Sequence, residues 1–285
     1  MSDRVKERVE RGTAAALRTA ASLGLPAERA DVLQDSNRVV VRVVPCDTVA
    51  RVVESSGAGH LEPEIALADR LAHMGAPVAV PEPRVERRVH GEREFAMTFW
   101  RHYEPVEPRE IEPVRYGTAL KSLHESMSTL DTAAPHFTER AAKAEGLALD
   151  PEQTPALEAD DRAFLVSELR RTTDSVASSG APEQLLHGEP HSDNVLRTAE
   201  GLLFIDFEAS CRGPVEFDVA DVPEAVAGHY PGVNLLLLEQ CRRLVLAMVS
   251  TWCWAGFDDH ENLRRAAPQL LSELRVIAAH RDVTG

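Results

Sequence analysis

The chain has 285 residues, with 31 Lys and Arg against 46 Asp and Glu, a formal charge of −15. Hydrophobic residues at 44% and charged residues at 27% describe an ordinary globular composition, which excludes a disordered or low-complexity chain. The acidic balance argues against a binder of nucleic acid, whose affinity rests on Lys and Arg neutralising phosphates, and leaves a cationic small molecule as a partner. The charge is unevenly spread. Residues 1–104 carry 15 basic and 16 acidic side chains, and residues 105–285 carry 16 basic and 30 acidic.

In chain order, residues 1–25 predict an amphipathic helix rather than a signal peptide, because acids and bases run through its first stretch. The β-branched runs Val39–Val44 and Val49–Val53 predict an antiparallel pair joined by a short turn. Leu61–Met74 has helical spacing. Arg84–Val89 and Glu94–Trp100 flank His90-Gly91-Glu92-Arg93, a hairpin signal. Pro105, Pro108 and Pro113 then mark a linker. Helical patterns follow at about 114–127, 158–178, 216–227, 233–257 and 261–280. Short β-rich pieces lie near 185–187 and 194–206, the second turning at Ala199-Glu200-Gly201. Residues 139–155 lack clear periodicity and read as a loop.

The longest apolar stretch, Leu244–Phe257, is shorter than the roughly 20 residues a bilayer crossing needs, so no membrane partner is expected. The four cysteines have no metal-binding spacing and suit reduced thiols in a cytoplasmic protein. The expected fold class is α+β: a small first lobe of antiparallel strands plus a helix over residues 1–100, then a larger, mainly helical lobe over 101–285.

The chemistry concentrates in Leu186-His187-Gly188-Glu189-Pro190-His191-Ser192-Asp193-Asn194, followed by Ile205-Asp206-Phe207-Glu208. One carboxylate precedes an Asn by five residues, and another follows a hairpin. Phosphoryl transfer uses such parts: a carboxylate to orient the attacking hydroxyl and accept its proton, and an Asn and an Asp oxygen to hold Mg²⁺ against nucleotide phosphates. A zinc reading of His187 and His191 is opposed by Gly188 and Pro190, which disfavour the helix such a pair requires.

These residues resemble the aminoglycoside phosphotransferase and choline kinase-like branch of the protein-kinase-like fold, whose signature reads His-Gly-Asp, four residues, Asn, then Ile-Asp-aromatic-acid. The resemblance implies a bilobal kinase-like architecture. It makes Glu189 the catalytic base, His187 an organiser of the catalytic loop, Asn194 and Asp206 the metal ligands, and Asp218 a structural carboxylate. Glu208, two residues past the metal Asp, would face metal or substrate. In the first lobe, Ser36-Asn37 falls at the phosphate-facing turn. Arg51 takes the place of the strand Lys that grips phosphates, and Glu64 that of its acidic partner. As residues alone, Arg51 and Glu64 read equally well as a surface ion pair. Phe99, Trp100, Arg101 and His102 fall where the hinge would read adenine through its backbone. The chain departs from the signature in Glu189 for Asp and Arg51 for Lys.

The implied activity is O-phosphorylation of a small hydroxylated molecule, such as an aminoglycoside or other cationic alcohol, with ATP or GTP and Mg²⁺. The alternative is a catalytically weak, kinase-like nucleotide-binding regulator, motivated by the two departures.

Overall fold

The computed structural model describes residues 3–35, 38–107, 110–255 and 261–282. Ser36, Asn37, Pro108 and the last two residues of the helix expected over 233–257 lie outside that set. The chain forms two compact units. Residues 1–127 with 192–209 make the first, and residues 128–191 with 210–285 make the second. This division does not follow the sequence order at residue 100, so the nucleotide and acceptor lobes drawn there remain a proposal about function.

The first unit opens with α1 (Asp3–Ser22), β1 (Ala27–Asp35), β2 (Val39–Pro45) and β3 (Thr48–Glu54). After α2 (Leu61–His73) come β4 (His90–Glu92) and β5 (Phe95–Arg101). The five strands form one antiparallel sheet in the order β1-β2-β3-β5-β4. Alternation in β2 sends Val39, Val41 and Val43 inward against Ala15, Ala16 and Ala20 of α1 and against Phe95, Met97 and Phe99 of β5. Burying each Val contributes roughly 1.5–3 kcal/mol. α3 (Pro113–Ser128) follows the proline-marked linker.

Two expectations for this unit need correction. β1 was not anticipated, because Ala27–Asp35 is polar and mostly exposed. It lies at the sheet edge, where one ladder to β2 suffices without an apolar face. Arg84–Val89 is not a strand, and the expected turn residues His90–Glu92 are β4 itself. The turn falls two residues later, where Arg93 takes the positive φ of 55° that a tight hairpin requires.

In the second unit, α4 (Phe137–Leu149) replaces the loop expected at 139–155. A capping box starts it: the His136 ring accepts from Thr138 N–H, and Glu139 accepts from His136 N–H at 3.0 Å. Its buried stripe is Phe137, Ala141, Ala144 and Ala148, helical in spacing but too weakly apolar to stand out in sequence. α5 (Ala159–Ala177) and β6 (Gln184–Leu186) follow. The chain then returns to the first unit as the hairpin β7 (Val195–Thr198) and β8 (Gly201–Phe204), turning at Ala199-Glu200. Back in the second unit, the unexpected β9 (Cys211–Gly213) pairs with β6.

The helix expected over 216–227 is two helices, α6 (Val215–Ala220) and α7 (Glu224–Ala227), separated by Pro223, which lacks an N–H to continue the ladder. α8 (Leu235–Trp254), capped by Asn234, and α9 (Glu261–Asp282) complete the unit. Its core joins Phe137, Leu165, Leu169, Phe217, Leu244 and Leu271. Among the described residues, no helix is long and apolar enough to cross a membrane.

Candidate active site

In the first unit, β3 directs Arg51 inward and the first turn of α2 directs Glu64 towards it. Arg51 is 9% exposed and Glu64 2%, so their ion pair is buried rather than a surface contact. Arg51 hydrogen-bonds Glu64 through Nη1 and Asp206 Oδ1 through Nη2 at 3.0 Å. Glu64 also accepts the backbone N–H of Phe207 at 3.3 Å, tying α2 to the segment after β8. A second guanidinium converges there. Arg38 donates to both oxygens of Asp206, at 3.1 and 2.6 Å, and lies 3.1 Å from Glu208 Oε1. His60 Nε2 lies 3.2 Å from Glu208 Oε2.

Two guanidiniums thus face three carboxylates. Burial holds the Glu64 carboxyl above its ordinary range, with Asp206 and Glu208 pushing the same way and Arg51 opposing. At Arg51 burial is again the largest influence and disfavours charge, but Glu64, Asp206 and Glu208 outweigh it and the guanidinium is held above its ordinary value. The guanidinium therefore keeps its charge.

The β7–β8 hairpin places the two candidate metal ligands at its open end. Asn194 immediately precedes β7, is 8% exposed, and accepts Ile205 N–H at its backbone oxygen at 3.0 Å. Asp206 follows β8 with φ of 71°, a left-handed conformation uncommon outside glycine and enriched at functional sites. The donors are an amide oxygen and carboxylate oxygens, which suit a hard divalent cation. Among the described residues, no group of three or more His, Cys, Asp or Glu could hold a metal ion. Mg²⁺ takes one or two protein oxygens and completes its shell with phosphates and water.

The hinge candidates are partly committed. Phe99 C=O accepts Glu82 N–H at 2.9 Å, and Arg101 N–H donates to Val80 C=O at 3.0 Å. Phe99 and Trp100 are buried, the Arg101 side chain pairs with Glu200 at 2.6 Å, and His102 Nδ1 lies 3.4 Å from Asp47. Ser36 and Asn37 lie outside the described residues.

In the second unit, His187 is fully buried. Asp218, at the start of α6, accepts the N–H groups of His187 and Gly188, each at 2.8 Å. The His187 ring accepts Glu189 N–H at 3.3 Å, and Gly188 has a positive φ of 90°. Arg140 of α4 donates to Gly188 C=O at 2.6 Å and to the Glu189 carboxylate, with its guanidinium 5.4 Å from the Trp252 ring centre. Near them, Asp221 Oδ2 is buried with no hydrogen-bond partner. Burial first, then the charges of Glu189 and Asp218, push its carboxyl up to about 8.

Sequence reasoning missed Arg38, His60, Arg140 and Asp221. Arg38 offered one signal, a charge set directly against the apolar run of β2. Arg140 offered none once its helix was read as a loop.

The sequence model of the phosphotransferase enzyme family matches residues 33–243. No curated protein matches the chain in sequence. Among solved structures, an amicoumacin kinase in complex with AMP-PNP, Ca²⁺ and Ami is similar at a TM-score of 0.72 and 10% identity, covering 94% of this chain and 95% of that one. A choline/ethanolamine kinase family protein from Mesorhizobium loti is similar at 0.66 and 17%, covering 96% and 94%. The GDP complex of aminoglycoside 2'-phosphotransferase-IIIa is similar at 0.68 and 13%, covering 92% and 97%. The family match spans most of the chain, and the structural matches carry the kinase-like α+β fold: the chain belongs to the phosphotransferase enzyme family.

Proposed function

We propose that the protein is a nucleotide- and Mg²⁺-dependent O-phosphotransferase acting on a hydroxyl of a small cationic alcohol, with ATP or GTP as donor. The observation that carries this reading is the buried convergence of Arg51, Glu64 and Asp206. Arg51, fixed by Glu64, would contact the nucleotide phosphates. Asn194 and Asp206 would hold the divalent cation, which when bound supplies neutralisation of phosphate charge. Glu189, on a loop fixed by His187 and Asp218, would orient the acceptor hydroxyl and accept its proton as the new O–P bond forms and the nucleoside diphosphate leaves. Glu208 would face the same ligands. Phe99 to His102 would flank the base, whose backbone partners would come from groups other than Phe99 C=O and Arg101 N–H.

A cationic acceptor is supported by the acidic residues 105–285 and by relatives named for choline, ethanolamine and aminoglycosides. We place the protein in the cytoplasm, apart from membrane and nucleic acid. In the test, ATP and GTP consumption is measured against a panel of hydroxylated amines, with Asp206→Ala as the comparison. Turnover should fall by about 100-fold or more in the variant. Equal turnover would reject the metal site.

The Arg140–Glu189 pair favours a second reading, because the carboxylate assigned to the acceptor is already engaged. A protein that binds nucleotide and Mg²⁺ and phosphorylates nothing in the panel would be a kinase-like binding protein.

A further inference from the structure

We infer that Arg38 is a second phosphate ligand of the nucleotide, exchanging its hold on Asp206 for the phosphates when a divalent cation takes that carboxylate. The inference rests on the phosphotransferase reading and adds a residue to it.

Arg38 and Arg51 are not equivalent. Arg51 is anchored through one nitrogen to Glu64, whose side chain is fully buried. The partners of Arg38 among the described residues are Asp206 and Glu208, both in the segment after β8. Its fork covers both Asp206 oxygens, so a metal ion on either one shares that oxygen with a guanidinium and meets its positive charge at close range. The pairing and the metal site are therefore in competition.

The displaced fork needs another anion, because its side chain is only 14% exposed and a poorly solvated, unpaired charge is costly. A di- or triphosphate offers matching planar, two-oxygen contacts. The sequence gives this cation a purpose. Residues 26–56 contain no glycine, so the strands and turn that would face phosphates lack the glycine-rich backbone cradle. Guanidiniums at Arg38 and Arg51 supply by side chain what that backbone would otherwise supply. Exchange also keeps every charge paired. The cation replaces Arg38 at Asp206, and the phosphates replace Asp206 at Arg38.

The test measures ADP affinity by calorimetry with Mg²⁺ and with excess chelator, and Mn²⁺ affinity without nucleotide by water-proton relaxation. Wild type, Arg38→Gln and Arg42→Gln are compared. Arg42 lies on the same strand and its loss changes the net charge equally. With saturating Mg²⁺, Arg38→Gln should bind ADP about 10- to 100-fold more weakly than wild type, and in chelator, where Arg38 keeps Asp206, the loss should shrink to about twofold or less. It should bind Mn²⁺ alone roughly 5- to 10-fold more tightly, since a competing cation has left Asp206. Arg42→Gln should change neither by more than about twofold.

An Arg38→Gln protein with wild-type ADP affinity in saturating Mg²⁺ overturns the inference, as does an equal loss from Arg42→Gln, which would assign the effect to net charge. Wild type that binds no nucleotide under either condition rejects the phosphotransferase reading beneath it. Melting curves check the fold. If Arg38→Gln fails to fold, Arg38→Lys replaces it: one ammonium cannot span two oxygens, so ADP in saturating Mg²⁺ should still weaken, and unchanged affinity overturns the inference.

Discussion

Asp221 shows how one side chain ties stability to pH. Its carboxyl titrates near 8 in the folded protein against an ordinary 3.8, because burial and the charges of Glu189 and Asp218 disfavour ionisation. Between those values the folded chain holds a proton that the unfolded chain has released. Stability from this group is complete below 3.8, falls by about 1.4 kcal/mol per pH unit across the window, and is gone above about 8. Asn has nearly the same shape and no such proton, so Asp221→Asn should remove this slope. Urea midpoints measured from about pH 5 to 9 should show wild type losing ground to the variant as pH rises. Parallel curves would mean that Asp221 is ionised in the fold.

The same scale marks the limit of sequence reading. Glu189, Asn194 and Asp206 stand out because their spacing is local. Arg38 meets Asp206 across 168 positions, and no spacing rule reaches that far.

At the scale of elements, legibility followed the strength of the apolar pattern. β2 and β3 alternate Val with little interruption, and α8 carries long aliphatic side chains, so both were readable. α4 hides its stripe in alanines, β1 is polar because it is an edge, and β9 is three residues long. β9 also shows why small residues matter here. A Cβ on Gly213 would lie 3.0 Å from Phe137 Cδ1 and 3.3 Å from Leu186 Cδ1, both buried side chains. Gly213→Ala must therefore displace the Phe137 ring, and should cost about 1–3 kcal/mol. Chemical denaturation measures this directly. An unchanged midpoint would show that the contact between α4 and β9 has slack.

For the whole molecule, the two compact units are each assembled from separated stretches of chain, so the strand-then-helix order in sequence does not divide them. Two lobes were expected from the order of strand and helix patterns; that order cannot reveal that residues 192–209 rejoin the first unit. The charge of −15 belongs to this scale too. If the acidic second part attracts a cationic acceptor, the KM for an amine-bearing alcohol should rise several-fold between about 50 and 500 mM salt, and the KM for a neutral alcohol should not. Equal salt responses would return that charge to general solubility.

The β7–β8 ladder joins Asn194 and Asp206 through its first rung, Val195 to Phe204. Their separation is set at that open end, whereas the connection at Ala199-Glu200 lies three rungs away. Extra residues inserted at the tip would lengthen the hairpin's loop without moving either ligand, at little entropic cost. A single residue inserted within the ladder would instead turn every following side chain to the opposite face. The linear distance between the two ligands is thus free to vary in relatives and in engineered variants, and the tip can accept a reporter peptide or a fluorescent label.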